Sequence, residues 1–192
     1  MSPLVVSSAY LLLAAVSAAA EVSVDDACPS SLVTSVNRFY LQVYDGTCFH
    51  FVVNYRRTFE DATEQCLKDG GLLAMPKTPA VNDFLAKQSF EHYGAINEMW
   101  IGLNDQSSEG QYVWSDDNPL EWSHFARGNG PTSYWILQQF EDCVALDPLD
   151  GLWHDFMCKE DMISASFGSE PKKSYICQYS VAPEPSLVDG GK

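Results

Sequence analysis

The sequence predicts an α+β domain, and three observations lead to that class. Two segments in the first half of the chain have the apolar spacing of amphipathic helices, with capping residues before them and glycines after them. The later apolar segments are short and separated by turn residues, which is typical of strands. A long stretch between these strands has little periodicity, and such a loop is usually functional or held by cross-links or metal. Helices followed by short strands favour the α+β class.

The first twenty residues are predicted to be absent from the mature chain. Residues 1–20 contain an apolar run that ends in Ser17-Ala18-Ala19-Ala20, which is typical of a cleaved signal peptide. No other apolar run approaches the roughly 20 residues that cross a bilayer, so we expect no membrane span. The mature chain is therefore expected to be secreted and extracellular, where disulfides persist.

The formal net charge of −15 restricts the partners. Such a chain repels phosphate backbones, heparin-like polymers and anionic membranes, so we expect no nucleic-acid partner. Cations, basic proteins and neutral sugars remain open. The same charge also keeps a protein soluble in extracellular fluid, without any specific partner.

The N-terminal part of the mature chain predicts a hairpin. Apolar residues at Phe39, Leu41 and Val43 indicate a first strand, and Asp45-Gly46 then forms a turn. Residues Phe49 to Val53 form the second predicted strand.

Two helices follow the hairpin. Thr58 can cap the first helix, which ends at Gly70-Gly71. Thr78-Pro79 starts the second, because proline suits the first helical position, and Gly94 lies beyond its end. The predicted inner sides are Phe59, Ala62 and Cys66 in the first helix and Val81, Phe84, Leu85 and Gln88 in the second.

Short strands make up the rest of the predicted structure. They are Leu72–Met75, Trp100–Leu103, Tyr112–Trp114, Val144–Leu146, Leu152-Trp153 and Tyr175–Tyr179. The strand Trp100–Leu103 organises the others, since the later segments 141–146 and 151–155 are patterned to pack beside it. Residues 115 to 140 are rich in turn formers and large aromatic residues.

In this order, the residues resemble a C-type lectin-like domain of the long form. The matching pieces are Cys48-Phe49, Arg57–Ala62, Cys66, Gly70–Ala74, Phe84-Leu85, Trp100–Leu103, Tyr112–Asp116, Pro119-Leu120, Glu141–Val144, Trp153–Asp155, Cys158 and Tyr175–Cys177. The resemblance covers about residues 28–180, with residues 21–27 as a lead-in and residues 181–192 as a flexible tail. It implies two helices packed on small antiparallel sheets with a long loop region.

The six cysteines allow 15 pairings, and arithmetic alone does not choose among them. The resemblance implies three disulfides, Cys66–Cys177, Cys143–Cys158 and Cys28–Cys48. Closing the long loop between Cys66 and Cys177 contributes roughly 4–5 kcal/mol in the chain-entropy model. Zinc ligation is disfavoured by the spacings and by the oxidising compartment.

Four acidic residues form the predicted metal site. Asp105 and Glu109 lie in the turn after the central strand, and Glu141 and Asp142 precede a cysteine. The resemblance implies that these positions hold one calcium ion that stiffens the long loop. Calcium prefers carboxylate oxygens, and clustered carboxylates without a cation raise one another's pKa. We therefore expect calcium as the cofactor at one structural site, with ordinary solvated acids as the alternative.

The second calcium site of sugar-binding relatives is degenerate in this chain. The resemblance implies a Glu-Pro-Asn or Gln-Pro-Asp triplet, a following Glu, and Asn-Asp after a tryptophan. Here Pro131 follows Gly130, which has no carboxylate, and His154 stands where Asn is expected. Only Glu141 and Asp155 retain oxygen ligands, and imidazole suits zinc or copper better than calcium. His154 and Asp155 remain ligand-binding candidates together with Pro131.

An aromatic segment follows Pro131 and has two possible roles. If Tyr134, Trp135 and Phe140 are exposed, they form a protein-recognition patch, because aromatic residues dominate interface energetics. The alternative is that they fill the core under the loop. Aromatic faces also bind sugars without calcium, and Trp122, Tyr134 and Trp135 are candidates for that role.

These observations predict a secreted, non-enzymatic module that binds a glycan or an extracellular protein through its long loop. The sequence has no nucleophile elbow, paired-carboxylate motif or His-Glu-x-x-His motif, so we expect no catalytic residues. The alternative is an acidic extracellular matrix or mineral-associated structural protein, which would bind many calcium ions weakly.

Overall fold

The centre of the fold is a mixed β-sheet. The computed structural model describes residues 22–131, 140–159 and 172–180. Within these residues the strands are β1 Leu41–Tyr44, β2 Thr47–Arg57, β3 Leu72–Leu73, β4 Met99–Asn104, β5 Val113–Trp114, β6 Cys143–Leu146, β7 Trp153–Phe156 and β8 Lys173–Tyr179. With the helices described below, they form the α+β architecture that the sequence predicts.

The strands are ordered β1-β2-β8-β4-β6-β7, while β3 pairs with β8 and β5 pairs with β4. These pairs are antiparallel except for β4 with β8, which run parallel where Met99 lies opposite Ser174 and Trp100 opposite Tyr175. The small antiparallel sheets that we predicted are therefore joined into one sheet through this parallel contact. The predicted organising strand is β4, which lies between β8 and β6.

The helices of the described residues are α1 Val24–Ala27, α2 Ser30–Ser35, α3 Phe59–Lys68 and α4 Pro79–Lys87, with a 3₁₀ turn at Arg38–Tyr40 and a π-helical turn at Gln88–His92. The two predicted helices are α3 and α4. Both begin where their caps indicate, since Thr58 accepts from the backbone N–H of Asp61 and Thr78 accepts from that of Val81. Phe59, Ala62 and Cys66 are buried in α3, as predicted.

The segment before β2 differs from the prediction in two ways. Phe39 is not part of a strand, because the Asn37 side chain accepts from the backbone N–H of Phe39 and starts a 3₁₀ turn. Strand β1 therefore begins at Leu41. Helices α1 and α2 were not predicted, since four and six residues are too few to show a helical period.

The inner side of α4 is only partly as predicted. Leu85 is buried, but the predicted Val81 and Gln88 are only half-buried, and Asn82 is fully buried. The Asn82 amide explains this rotation, because it accepts from Trp153 Nε1 at 2.7 Å and donates to the Gly151 carbonyl at 2.9 Å. A polar residue thus lies on the inner side because it fastens α4 to the β6–β7 hairpin.

Three disulfides tie the elements together. Cys28–Cys48 joins the end of α1 to β2, Cys66–Cys177 joins α3 to β8, and Cys143–Cys158 links β6 to the residues after β7. These are the pairs that the resemblance implies, and no cysteine in the chain is free. Cys28 and Ser180 border the same cavity of about 380 Å³, so the two ends of the described domain adjoin.

The core lies on both faces of the sheet. Trp100 on one face contacts Phe59 edge-on, and its Nε1 donates to the Arg57 carbonyl at 2.9 Å. Trp153 on the other face is fully buried. A Cβ at Gly102 would lie 2.5 Å from Ser115 Oγ and 2.7 Å from the Leu73 carbonyl, so β4 requires glycine there. Among the described residues, no helix has the length and apolar character to cross a membrane.

Candidate functional site

Asp105 is a buried carboxylate at the end of β4. Its side chain is 3% exposed, and its backbone N–H donates to the Asp142 carbonyl at 3.0 Å. The Gly110 N–H donates to Oδ2 at 2.7 Å, whereas Oδ1 is buried and has no hydrogen-bond partner. A buried oxygen without a partner is costly, so Oδ1 is a candidate ligand atom for a cation or another donor.

The charges around Asp105 increase this cost. The pKa of Asp105 is raised to about 7, mainly by burial and also by the charges of Glu109, Asp142 and Asp155, against the opposing effect of the Gly110 N–H. These residues come from the turn after β4, the residues before β6, and β7 itself. The fold therefore gathers negative charge from three segments around one desolvated carboxylate.

The other predicted metal residues lie in the adjacent segments, but their ligand atoms are not drawn together: among the described residues, the group with three ligand atoms within 4.8 Å of one another is Asp147, Asp150 and His154. Glu141 and Asp142 are half-buried just before β6, and Glu109 is exposed in the turn. Desolvation and then Asp155 raise the pKa of Glu141 to about 7. Desolvation also raises the pKa of Asp142, and desolvation together with Asp142 and Asp155 raises that of Glu109. Ionisation of each carboxylate is thus less favourable than in water, and a bound cation would offset this cost.

Asp155 is equally buried but fully engaged by protein donors. It is 5% exposed, and its Oδ2 accepts from the Gly130 N–H at 2.7 Å and the Tyr112 hydroxyl at 3.1 Å. Its own N–H donates to Asn129 Oδ1 at 3.1 Å. Burial, followed by the nearby charge of Asp155, raises the pKa of Tyr112, so the phenol stays a donor. Tyr112 and Asn129 were not identified from the sequence as site residues.

The backbone at Gly130 explains the altered triplet. Gly130 has φ +77°, and a Cβ there would lie 2.5 Å from the Phe125 ring. A glutamate is therefore incompatible with this backbone, and the position contributes its N–H to Asp155 instead. Pro131, the next residue, is exposed. The sequence showed that the carboxylate was missing, but not that a ring occupies its space.

The aromatic segment lies mostly outside the described residues. Tyr134 and Trp135 fall in that part, so whether they are core or surface stays a prediction. Phe140 is 40% exposed. Trp122 is half-buried, with its ring stacked on His124 at 5.6 Å and edge-on to Trp153 at 5.2 Å. Of the predicted aromatic candidates, Phe140 is accessible and Trp122 is partly committed to packing.

His154 belongs to a different group of side chains from the one predicted. Its ring lies beside Asp147 and Asp150, and one ligand atom from each residue comes within 4.8 Å of the others. The Nε2 atom is buried without a hydrogen-bond partner. However, Asp147 and Asp150 already accept from the N–H groups of Leu149 and Leu152, which shape the β6–β7 turn. The sequence signal for this group is the Asp-Pro-Leu-Asp-Gly turn, which we did not single out from the sequence.

The chain is similar in sequence to known C-type lectin proteins. The model of the lectin C-type domain matches residues 55–164, which is more than half of the chain. Tetranectin of Bos taurus is 30% identical over 129 residues, covering 65% of this chain and 56% of tetranectin. Collectin-10 of Homo sapiens is 33% identical over 115 residues, covering 57% of this chain and 38% of collectin-10. The chain thus spans about half or less of the length of these relatives.

Solved structures show the same fold. The carbohydrate-recognition domain of the mouse scavenger receptor C-type lectin superposes with a TM-score of 0.59 at 23% identity, covering 76% of this chain and 98% of that domain. Human lithostathine superposes with a TM-score of 0.60 at 25% identity, covering 74% of this chain and 98% of lithostathine. The α+β fold is therefore shared with these domains.

Proposed function

Because the chain belongs to the C-type lectin domain family, we propose that it is a secreted, non-enzymatic binding module whose long loop region recognises a glycan or an extracellular protein. The observation that carries this proposal is the buried, unpartnered Oδ1 of Asp105 among carboxylates from three segments. Burying this oxygen among other carboxylates is costly without a positive charge. A cation bound there would offset the cost and fix the loop region.

We propose that these segments hold one structural calcium ion, whose binding would draw the ligand oxygens together. Asp105, Glu109, Glu141 and Asp142 would hold it through hard oxygen ligands, which calcium prefers over nitrogen or sulfur. A bound calcium would supply positive charge to the Asp105 neighbourhood and remove the repulsion that raises the pKa of these groups. The effect is to join the turn after β4 to the residues before β6, which border the loop region.

A second, sugar-bridging calcium has less support. Gly130 supplies no carboxylate, and Asp155 already accepts hydrogen bonds from Gly130 and Tyr112. We therefore propose that ligand recognition uses the loop region that contains Pro131, Tyr134 and Trp135, together with His154 and Asp155, through contacts other than a shared calcium ion. Among the structural relatives, the scavenger receptor C-type lectin domain is a carbohydrate-recognition domain, which supports a glycan as the ligand without indicating how it is held.

Calorimetric titration of the chelated protein with Ca²⁺ tests the metal site. We expect one site in the wild type and no measurable heat in Glu109→Gln together with Asp142→Asn, which keep the side-chain shapes but remove charge. Asp83→Asn on the exposed side of α4 is the control, because it removes one carboxylate outside the site. No heat in the wild type would overturn the calcium proposal. Many weak sites that all variants retain would favour the acidic matrix or mineral-associated protein instead.

A glycan array, probed with and without calcium, tests the recognition. We expect no hits that depend on a calcium-bridged mannose-type or galactose-type sugar. Such hits would show that a sugar-bridging calcium forms despite Gly130. A protein ligand would instead appear in pull-down from extracellular fluid, and its binding should be lost when residues 132–139 are replaced by a short glycine-serine linker.

A further inference from the structure

A groove lies beside β2, near the opposite edge of the sheet from β6 and β7. The segment from α2 to the 3₁₀ turn runs along β2 and leaves two cavities of about 420 Å³ and 330 Å³. Both cavities are bordered by Ser35, Val36, His50, Val52 and Tyr55, so they form one continuous groove. Strands β8 and β4 lie between β2 and β6 in the sheet, which separates this groove from the Asp105 neighbourhood.

The larger lobe of the groove is aromatic, polar and uncharged. Tyr40, Tyr55, Asn37 and Asn54 border it, and Tyr55 is 71% exposed. The Asn54 amide donates to the Tyr40 hydroxyl at 2.6 Å, which fixes one amide beside one ring. Among the described residues that line this lobe, none is acidic or basic apart from a histidine, although the chain contains 26 acidic residues.

That histidine, His50, contributes an unused polar atom at the junction of the two lobes. Its Nδ1 is buried and has no hydrogen-bond partner. Burial lowers the pKa of His50, although Asp69 opposes the shift, so the ring is neutral at physiological pH and offers a hydrogen bond rather than a charge.

The smaller lobe adds a second unused donor. Arg57 Nε is also buried without a partner, while Arg57 Nη2 donates to Gln65 Oε1 at 3.5 Å. Gln65 Nε2 in turn donates to Asp69 Oδ2 at 2.9 Å. The wall of this lobe is therefore a fixed polar network that borders the groove.

We propose that this groove is a calcium-independent binding site for a neutral saccharide. Tyrosine rings match the apolar C–H faces of a pyranose, and amide, imidazole and guanidinium groups match its hydroxyls. The volume lies in the range of about 300–1,000 Å³ that is usual for small-ligand sites. Sialylated or sulfated sugars are disfavoured, because the chain has a net charge of −15.

Saturation-transfer NMR on the mature chain in excess EDTA tests the site. The probes are maltose, cellobiose, lactose and chitobiose, each measured separately. We expect at least one of them to receive saturation without calcium, and a sialylated or sulfated form of that sugar to bind more weakly. No transfer to any of the four disaccharides would overturn the proposal, as would equal binding of the charged form.

Variants distinguish this groove from the long loop region. Tyr55→Ala should weaken binding roughly tenfold, the usual size for loss of one contact aromatic, while Tyr55→Phe should retain it. Tyr55 is largely exposed, so the fold tolerates both changes. Asp155→Asn and Glu109→Gln should leave EDTA-resistant binding unchanged. Binding that survives Tyr55→Ala, or is lost in Glu109→Gln, would place the sugar elsewhere and overturn the groove, whatever the outcome for calcium.

Discussion

Asp105 and Asp155 are both buried, but they differ in how completely the protein supplies hydrogen-bond donors to their carboxylates. Both side chains are at most 5% exposed. Asp155 accepts from a backbone N–H and a phenol, whereas Asp105 has one donor and a buried oxygen without a protein partner. The comparison shows that protein donors satisfy Asp155, whereas one oxygen of Asp105 remains free for the calcium ion that we propose.

Asp155→Ala gives the largest expected effect on this comparison. It leaves the Gly130 N–H and the Tyr112 hydroxyl without their acceptor, which costs about 3–5 kcal/mol for two charge-assisted hydrogen bonds. Losing the charge also relieves Asp105, Glu109 and Glu141, but that gain is smaller because those groups are partly protonated or solvated. Urea unfolding in EDTA measures the balance. Asp155→Asn keeps an acceptor and should lose less than half as much; equal losses would show that charge, not hydrogen bonding, holds Asp155.

Asp105→Asn gives the next largest effect, and its sign depends on calcium. With calcium at 100 times its dissociation constant, the wild type gains about 2.7 kcal/mol by mass action, and the variant should not. In EDTA the variant should be as stable as the wild type or more so, because a desolvated charge is removed. Thermal melts in both conditions measure this difference. A calcium-induced rise in Tm that persists in the variant contradicts a role for Asp105.

Gly130→Glu tests whether the missing carboxylate alone prevents a second calcium site. We expect about 2 kcal/mol of destabilisation and no added calcium stoichiometry, because the backbone is left-handed and Phe125 occupies the Cβ position. Gly128→Ala, also at a positive φ but with open space around it, is the matched control and isolates the backbone contribution. A second calcium in the calorimetric titration of Gly130→Glu would show that Phe125 moves aside easily.

The pH dependence gives the smallest effect once solvent screening of the half-buried Glu141 and of the surrounding carboxylates is allowed for. The pKa of Asp105 and that of Glu141 are about 7 in the fold, above their ordinary values of 3.8 and 4.5. The folded state therefore binds these protons more tightly than the unfolded state, so the stability they contribute is present below about pH 4 and is lost as pH rises to about 7.

In EDTA, the Tm should accordingly fall by a few degrees between pH 5 and pH 8. Saturating calcium should flatten this slope, because calcium takes the place of the protons. Asp105→Asn combined with Glu141→Gln should flatten it even in EDTA, which serves as the control. A Tm in EDTA that rises through this pH range contradicts the raised pKa values.

Local signals predicted the scaffold better than the site. Thr58, Thr78 and Pro79 predicted the starts of two helices, because caps act on neighbouring backbone N–H groups. The acceptor role of Asp155 was not predictable, since its donors Tyr112 and Gly130 lie 43 and 25 residues away in the chain.

The inner position of Asn82 has the same cause, because its partner Trp153 lies 71 residues away. The pairing of the cysteines came from a family resemblance rather than from the residues themselves. Contacts over such separations are set by the sheet order, which no local period encodes.

Because Cys28 and Ser180 border the same cavity, the domain is suited to insertion into other proteins. A host protein could receive it as an insertion between two neighbouring surface positions, with both junctions on the same side. A biotin or fluorophore attached after Ser180 would likewise sit beside the entry point of the chain.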